Sequence, residues 1–116
     1  MKYHGSCQCG NVKFEAEGEI KNLTACNCSI CSKRGWLLWF VPDANFKLLT
    51  AEAELSTYTF NTHKIKHQFC KTCGCAPFSK AINPKSGELT AAVNARCLDD
   101  FDVTSVEVNQ FNGRDL

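Results

Sequence analysis

Hydrophobic and polar residues alternate most regularly over residues 11–17, where Val12, Phe14 and Ala16 fall on one face and Lys13, Glu15 and Glu17 on the other. A period of two is that of a half-buried strand. The preceding segment, residues 3–9, runs into the turn signal Gly10-Asn11, so residues 5–10 and 12–17 are expected to form a hairpin that carries Cys7 and Cys9 at its turn. Residues 23–28 read as a strand, 29–35 as a loop or single helical turn, and the most apolar run, 36–41, as a buried central strand stopped by Pro42. Residues 46–49 make a further short strand, 51–54 a helical turn too short to stand alone, and 55–60 return to alternation. A strand over 65–70 leads into Cys70-Lys71-Thr72-Cys73, with 76–79 as its return arm. A surface turn at 83–87 precedes a small-residue strand over 89–95, and Val106, Val108 and Phe111 mark a last segment closed by Asn112-Gly113. Many short strands, little helix, and no repeat or linker predict one mostly β domain of packed short antiparallel sheets over residues 1–116.

Charge narrows the function classes. The formal net charge is +1 with 22% charged residues, which argues against the clustered basic excess of a nucleic-acid surface. No stretch is long and apolar enough to cross a membrane, and Met1 to Ser6 carry no apolar run of a secretory leader.

Nine cysteines among 116 residues change the picture most. Nine is odd, and the spacings are C-x-C and C-x-x-C, which suit a metal better than a disulfide framework. A reducing cytoplasm is the expected location. In C-x-x-C followed by Gly74 the chain can turn both sulfurs toward one point, with glycine accepting a positive φ. In C-x-C on a strand, residues i and i+2 share a face. Cys7, Cys9, Cys70 and Cys73 together would saturate one tetrahedral zinc as a structural site. Cys26, Cys28 and Cys31 then leave three ligands and an open fourth position, the arrangement of catalytic zinc. Three thiolates on Zn²⁺ make a poor Lewis acid for water but a good acceptor for a soft ligand, so a thiol substrate is expected.

The residues Gly5-Ser6-Cys7-Gln8-Cys9-Gly10, Val12-Lys13-Phe14-Glu15, Cys26-Asn27-Cys28-Ser29-Ile30-Cys31, Phe69-Cys70-Lys71-Thr72-Cys73-Gly74, Asn94-Ala95-Arg96-Cys97-Leu98-Asp99 and Phe111-Asn112-Gly113 resemble the glutathione-dependent formaldehyde-activating enzyme family, whose domain centromere protein V shares. The resemblance implies a tent-like, mostly β fold with two zinc ions. Cys7, Cys9, Cys70 and Cys73 correspond to the structural site, and Cys26, Cys28 and Cys31 to the catalytic one. It also implies condensation of formaldehyde with glutathione to S-hydroxymethylglutathione, a carbon–sulfur lyase reaction.

Other residues keep two readings. Lys33 and Arg34 are solvated surface cations or partners of substrate carboxylates. Trp36 and Trp39 are core or pocket wall. His4 and His67, beside the ligand pairs, are exposed or hydrogen-bonded histidines, or else zinc ligands or hydrogen-bond donors to the ligands. Cys75 and Cys97 are small buried hydrophobes, or one of them caps the second zinc and makes the protein a non-catalytic binding or structural module.

Overall fold

The computed structural model describes residues 1–115. Strand β1 (Lys2–Ser6) pairs antiparallel with β2 (Lys13–Glu17), Tyr3 opposite Ala16 and Gly5 opposite Phe14. Phe14 and Ala16 are buried while Lys13 and Glu17 are exposed, as a period of two requires. Gly5 leaves room for its cross-strand neighbour: a Cβ there would collide with the Phe14 ring and lie 2.8 Å from the Cys97 carbonyl oxygen. β5 (Phe46–Leu48) adds antiparallel to β2 and completes a three-stranded sheet.

The second sheet has seven strands. Its members are β3 (Asn22–Cys26), β4 (Leu38–Pro42), β6 (Leu55–Tyr58), β7 (Lys66–Cys70), β8 (Phe78–Ile82), β9 (Leu89–Asn94) and β10 (Glu107–Phe111), in the order β10-β3-β4-β9-β8-β7-β6. A single helical turn, α1 (Cys31–Arg34), follows β3 and ends on Gly35 at φ 67°. The apolar run read as a central strand lies inside this sheet, between β3 and β9, although Trp36 and Leu37 precede the strand proper and Pro42 is its last residue.

Three expectations are corrected. The sheets are not all antiparallel: β10 pairs with β3 in parallel, a long-range pairing with no local sequence signal. Cys7 and Cys9 lie in the hairpin's turn, as expected, and so do not share the face of a strand. The hairpin ladder closes where the Cys7 N–H donates to the Val12 carbonyl at 3.0 Å, and the chain then turns through Gly10 at φ 85°. The short helical turn is a 3-10 turn over Glu52–Glu54.

The two sheets face each other across the main core. Tyr3, Phe14 and Phe46 meet Trp39, Phe78 and Val93 there, with Tyr3 edge-on to Trp39 at 5.5 Å and Phe46 4.6 Å from Phe78. Trp39 is therefore core. Two smaller apolar clusters lie apart from it, one around Cys7, Val12 and Cys70 and one around Cys31, Trp36, Leu38 and Ala76.

Candidate metal centres

The turn between β1 and β2 and the turn after β7 bring four sulfurs together. The Sγ atoms of Cys7, Cys9, Cys70 and Cys73 all lie within 4.8 Å of one another. Cys7 to Cys9 is 3.7 Å and Cys9 to Cys70 is 3.6 Å. A disulfide would need about 2.05 Å, whereas tetrahedral zinc with bonds of about 2.3 Å sets sulfurs about 3.8 Å apart. All nine cysteines are free.

Backbone N–H groups are aimed at these sulfurs. Val12 donates to Cys7 Sγ at 3.3 Å, and Thr72 and Cys73 donate to Cys70 Sγ at 3.4 and 3.5 Å. Gly74, at φ 80°, donates its N–H to the Cys70 carbonyl at 2.8 Å and closes the knuckle. The result is a set of uneven thiols. Backbone hydrogen bonds from Cys75 and then Cys9 pull Cys73 down to about 6. The Cys73 backbone N–H, against burial and helped by Thr72, lowers Cys70. The Asn11 backbone favours the Cys9 thiolate, but burial and the sulfurs of Cys7, Cys70 and Cys73 outweigh it and push Cys9 up. Four sulfurs this close cannot all be thiolates without a cation among them, and four converging sulfurs with N–H donors behind them fit zinc.

The second group is Cys26 at the end of β3, Cys28 in the following loop and Cys31 at the start of α1, with sulfurs also within 4.8 Å. Among the described residues no other cysteine, histidine, aspartate or glutamate joins this group. The Cys28 N–H donates to Cys26 Sγ at 3.4 Å. Burial raises Cys31, and the Cys28 sulfur adds to this. Burial also works against the Cys28 thiolate, but hydrogen bonds from the Cys31 backbone and from the thiols of Cys31 and Cys26 prevail and lower it. The donor set fits a thiophilic divalent ion held by three sulfurs.

Sequence reasoning missed what covers this trio. The Asn27 side chain donates to Asn112 Oδ1 and accepts from the Arg114 N–H, both at 2.9 Å, and the Asn27 N–H donates to the Phe111 carbonyl. This lays Gly113 on the cysteines: a Cβ there would sit 2.6 Å from Cys26 Sγ and 3.3 Å from Cys28 Cβ. A glycine 87 residues from Cys26 gives no local sign of such an approach. Gly113→Ala is expected to weaken metal binding at the trio at least about tenfold, measured by competition with a chromophoric chelator. Unchanged affinity would mean that the segment does not press on the trio in solution.

Cys75 and Cys97 approach each other, Sγ to Sγ 3.6 Å, and Cys75 packs beside Cys7 and Cys70. They neighbour the four-cysteine group, so neither is the cap of the trio. His4 is exposed and its Nε2 lies 3.3 Å from Glu15 Oε2. Trp36 packs in the trio's own apolar cluster, and Lys33 and Arg34 form the exposed last turn of α1.

His67 is buried and lies between the rings of Trp36, at 5.6 Å, and Phe60, at 5.5 Å, each tilted by about 20°. Its Nδ1 has no partner among the described residues. Burial, and next the Arg34 charge, hold its pKa below the ordinary histidine value. As pH falls below about 6.5 the unfolded chain therefore takes up a proton that the folded one refuses, and stability drops. His67→Phe keeps the stack and removes this term. Its denaturant midpoint is expected to change less than the wild type's between about pH 7.5 and pH 5.5. Equal changes in both proteins would show that His67 is not held neutral.

A crystal structure of a Rhodobacter sphaeroides protein, determined as a structural genomics target, is similar, with a TM-score of 0.78 and 27% sequence identity over 94% of this chain and 100% of that one. A sequence model of the family described as glutathione-dependent formaldehyde-activating enzyme matches residues 2–114, nearly the whole chain and both cysteine groups. The chain belongs to the glutathione-dependent formaldehyde-activating enzyme family.

Proposed function

We propose that the protein joins a small thiol, glutathione foremost, to formaldehyde at the three-cysteine group and catalyses the reverse, carbon–sulfur lyase direction as well. The observation that carries this reading is the unequal pair of groups: four converging sulfurs in one, three in the other. Zinc held by Cys26, Cys28 and Cys31 would supply a soft, coordinatively open centre that favours a thiol as its thiolate. In the condensation the thiol sulfur attacks the carbonyl carbon. One C–S bond forms, the C=O π bond opens, and the thiol proton ends on the new hydroxyl, with no change of oxidation state. The chain's own part is to hold three sulfurs on a strand end, a loop and a helical turn, to support Cys26 with the Cys28 N–H, and to keep water off Cys31 with Trp36, Leu38 and Ala76. Cys7, Cys9, Cys70 and Cys73 take the second zinc as a structural ion. Nine reduced cysteines suit a reducing compartment such as the cytoplasm.

A closed, non-catalytic trio is the rival reading, and the packing of Gly113 against Cys26 favours it. Metal counting with and without glutathione separates the two. The expected result is about two zinc ions per chain, and in cobalt-substituted protein a change in the thiolate-to-metal absorption of one ion when glutathione is added. One ion per chain, or two ions indifferent to glutathione, would overturn the enzymatic reading.

A further inference from the structure

A cleft of about 380 Å³ opens beside the trio, lined by Ser29, Ile30, Lys33, Arg34, Tyr58 and Phe60. One wall is the trio's own loop, since Ser29 and Ile30 are the residues between Cys28 and Cys31. The lining also includes a pair of stacked rings, Tyr58 and Phe60, 5.6 Å apart and tilted by 20°. The stack continues through His67 to Trp36, so this part of the lining is backed by buried rings and is stiff. Lys33 and Arg34 stand at the rim, both exposed, and neither has an acidic side chain within ion-pair distance among the described residues. The Arg34 guanidinium is held in place by aromatic faces, 5.3 Å from the Trp36 centroid and 5.7 Å from that of Phe69. Both rings belong to the apolar cluster that contains Cys26, Cys28 and Cys31. None of the six lining residues is acidic.

We propose that this cleft selects the thiol by its far end: a carboxylate is held by Lys33 and Arg34, the intervening chain lies on Tyr58 and Phe60, and the sulfur reaches the trio. The proposal rests on the function proposed above and names the residues that set its substrate class. Two cations with no protein counter-charge are an anion site, and a guanidinium fixed on ring faces presents its N–H fork with little entropy left to lose. An amino group on the same ligand finds no carboxylate in the cleft to pair with. Neutral and cationic thiols, such as 2-mercaptoethanol and cysteamine, are therefore poor substrates beside carboxylated ones.

The test uses S-methylglutathione, whose capped sulfur reports on the cleft and not on the trio. Calorimetric titration of the zinc-loaded protein is expected to show binding that weakens about ten- to a hundredfold in Lys33→Ala/Arg34→Ala and for the diester of the same ligand. Arg34→Met, which keeps a long unbranched side chain beside Trp36 but removes the charge, is expected to weaken binding as Arg34→Ala does. Lys85→Ala, outside the cleft, serves as the charge control and should bind as wild type. Equal binding of acid and ester, unchanged binding in the double variant, or no binding to wild type overturns the proposal. Turnover distinguishes it from the function it rests on. Cation-dependent binding without condensation activity leaves the cleft standing and removes the reaction. Condensation with an unchanged KM for glutathione in the double variant does the reverse. If both stand, the double variant raises KM about ten- to a hundredfold while kcat stays within about threefold.

Discussion

Cys73→Ala is expected to leave the protein largely unfolded, with the four-cysteine group empty of zinc. A structural zinc site contributes roughly 10–16 kcal/mol of apparent binding free energy, while a whole domain of this size is stable by about 5–15 kcal/mol. Losing one of four sulfurs therefore removes a term as large as the net stability. The geometry makes the effect worse. Cys7 and Cys9 sit in the turn of the three-stranded sheet, Cys70 at the end of β7 in the seven-stranded one, and Cys73 in the turn that follows it. The apolar residues around them are few: Val12, Leu48, Leu55 and the cysteines themselves. Circular dichroism and zinc content together check this. A variant with the wild-type melting temperature and two ions per chain would remove the structural role from this group.

Cys28→Ala is expected to do the opposite. The fold should persist, with the zinc count falling from about two to about one and condensation activity falling by more than about a hundredfold. The reason lies in where the apolar burial sits. Tyr3, Phe14, Leu23, Trp39, Val41, Phe46, Phe78 and Val93 build the main core without help from the trio. Cys28 is only half-buried, in the loop between β3 and α1, and its truncation leaves the β10-β3-β4 ladder untouched. If this variant unfolds like Cys73→Ala, the trio is a second staple. If it keeps both ions, Cys28 is not a ligand.

The grouping of the sulfurs into four and three is legible in the cysteine spacings, and so is much of the fold. Alternation at Phe14 and Ala16, the apolar run ending in Val41 and the hairpin arms around Cys70 to Cys73 are local signals, and each reappears as β2, β4, β7 and β8. What stayed hidden is long-range. Nothing near Phe46 shows that β5 joins β2, and nothing near Phe111 shows that β10 runs parallel beside Cys26. The close fit of Gly113 on Cys26 follows from the β10–β3 pairing, and the stack from Tyr58 to Trp36 and the approach of Cys75 to Cys97 likewise join segments distant in the sequence. The C-x-C pair illustrates a right outcome from a wrong premise. A period of two would put residues i and i+2 on one strand face, yet it is a turn closed by the Gly10 N–H on the Cys7 carbonyl that brings the two sulfurs together.

One feature of the four-sulfur group reaches into how the chain acquires its shape. Cys9 and Cys70 are 61 positions apart, so the ion must be captured by one pair before the other arrives. The Cys70 knuckle, closed locally by Gly74, is the pair that can form early. Self-assembly is then a bimolecular event in disguise. Its observed rate should rise with free metal concentration and plateau once capture outruns the slow meeting of the two sheets.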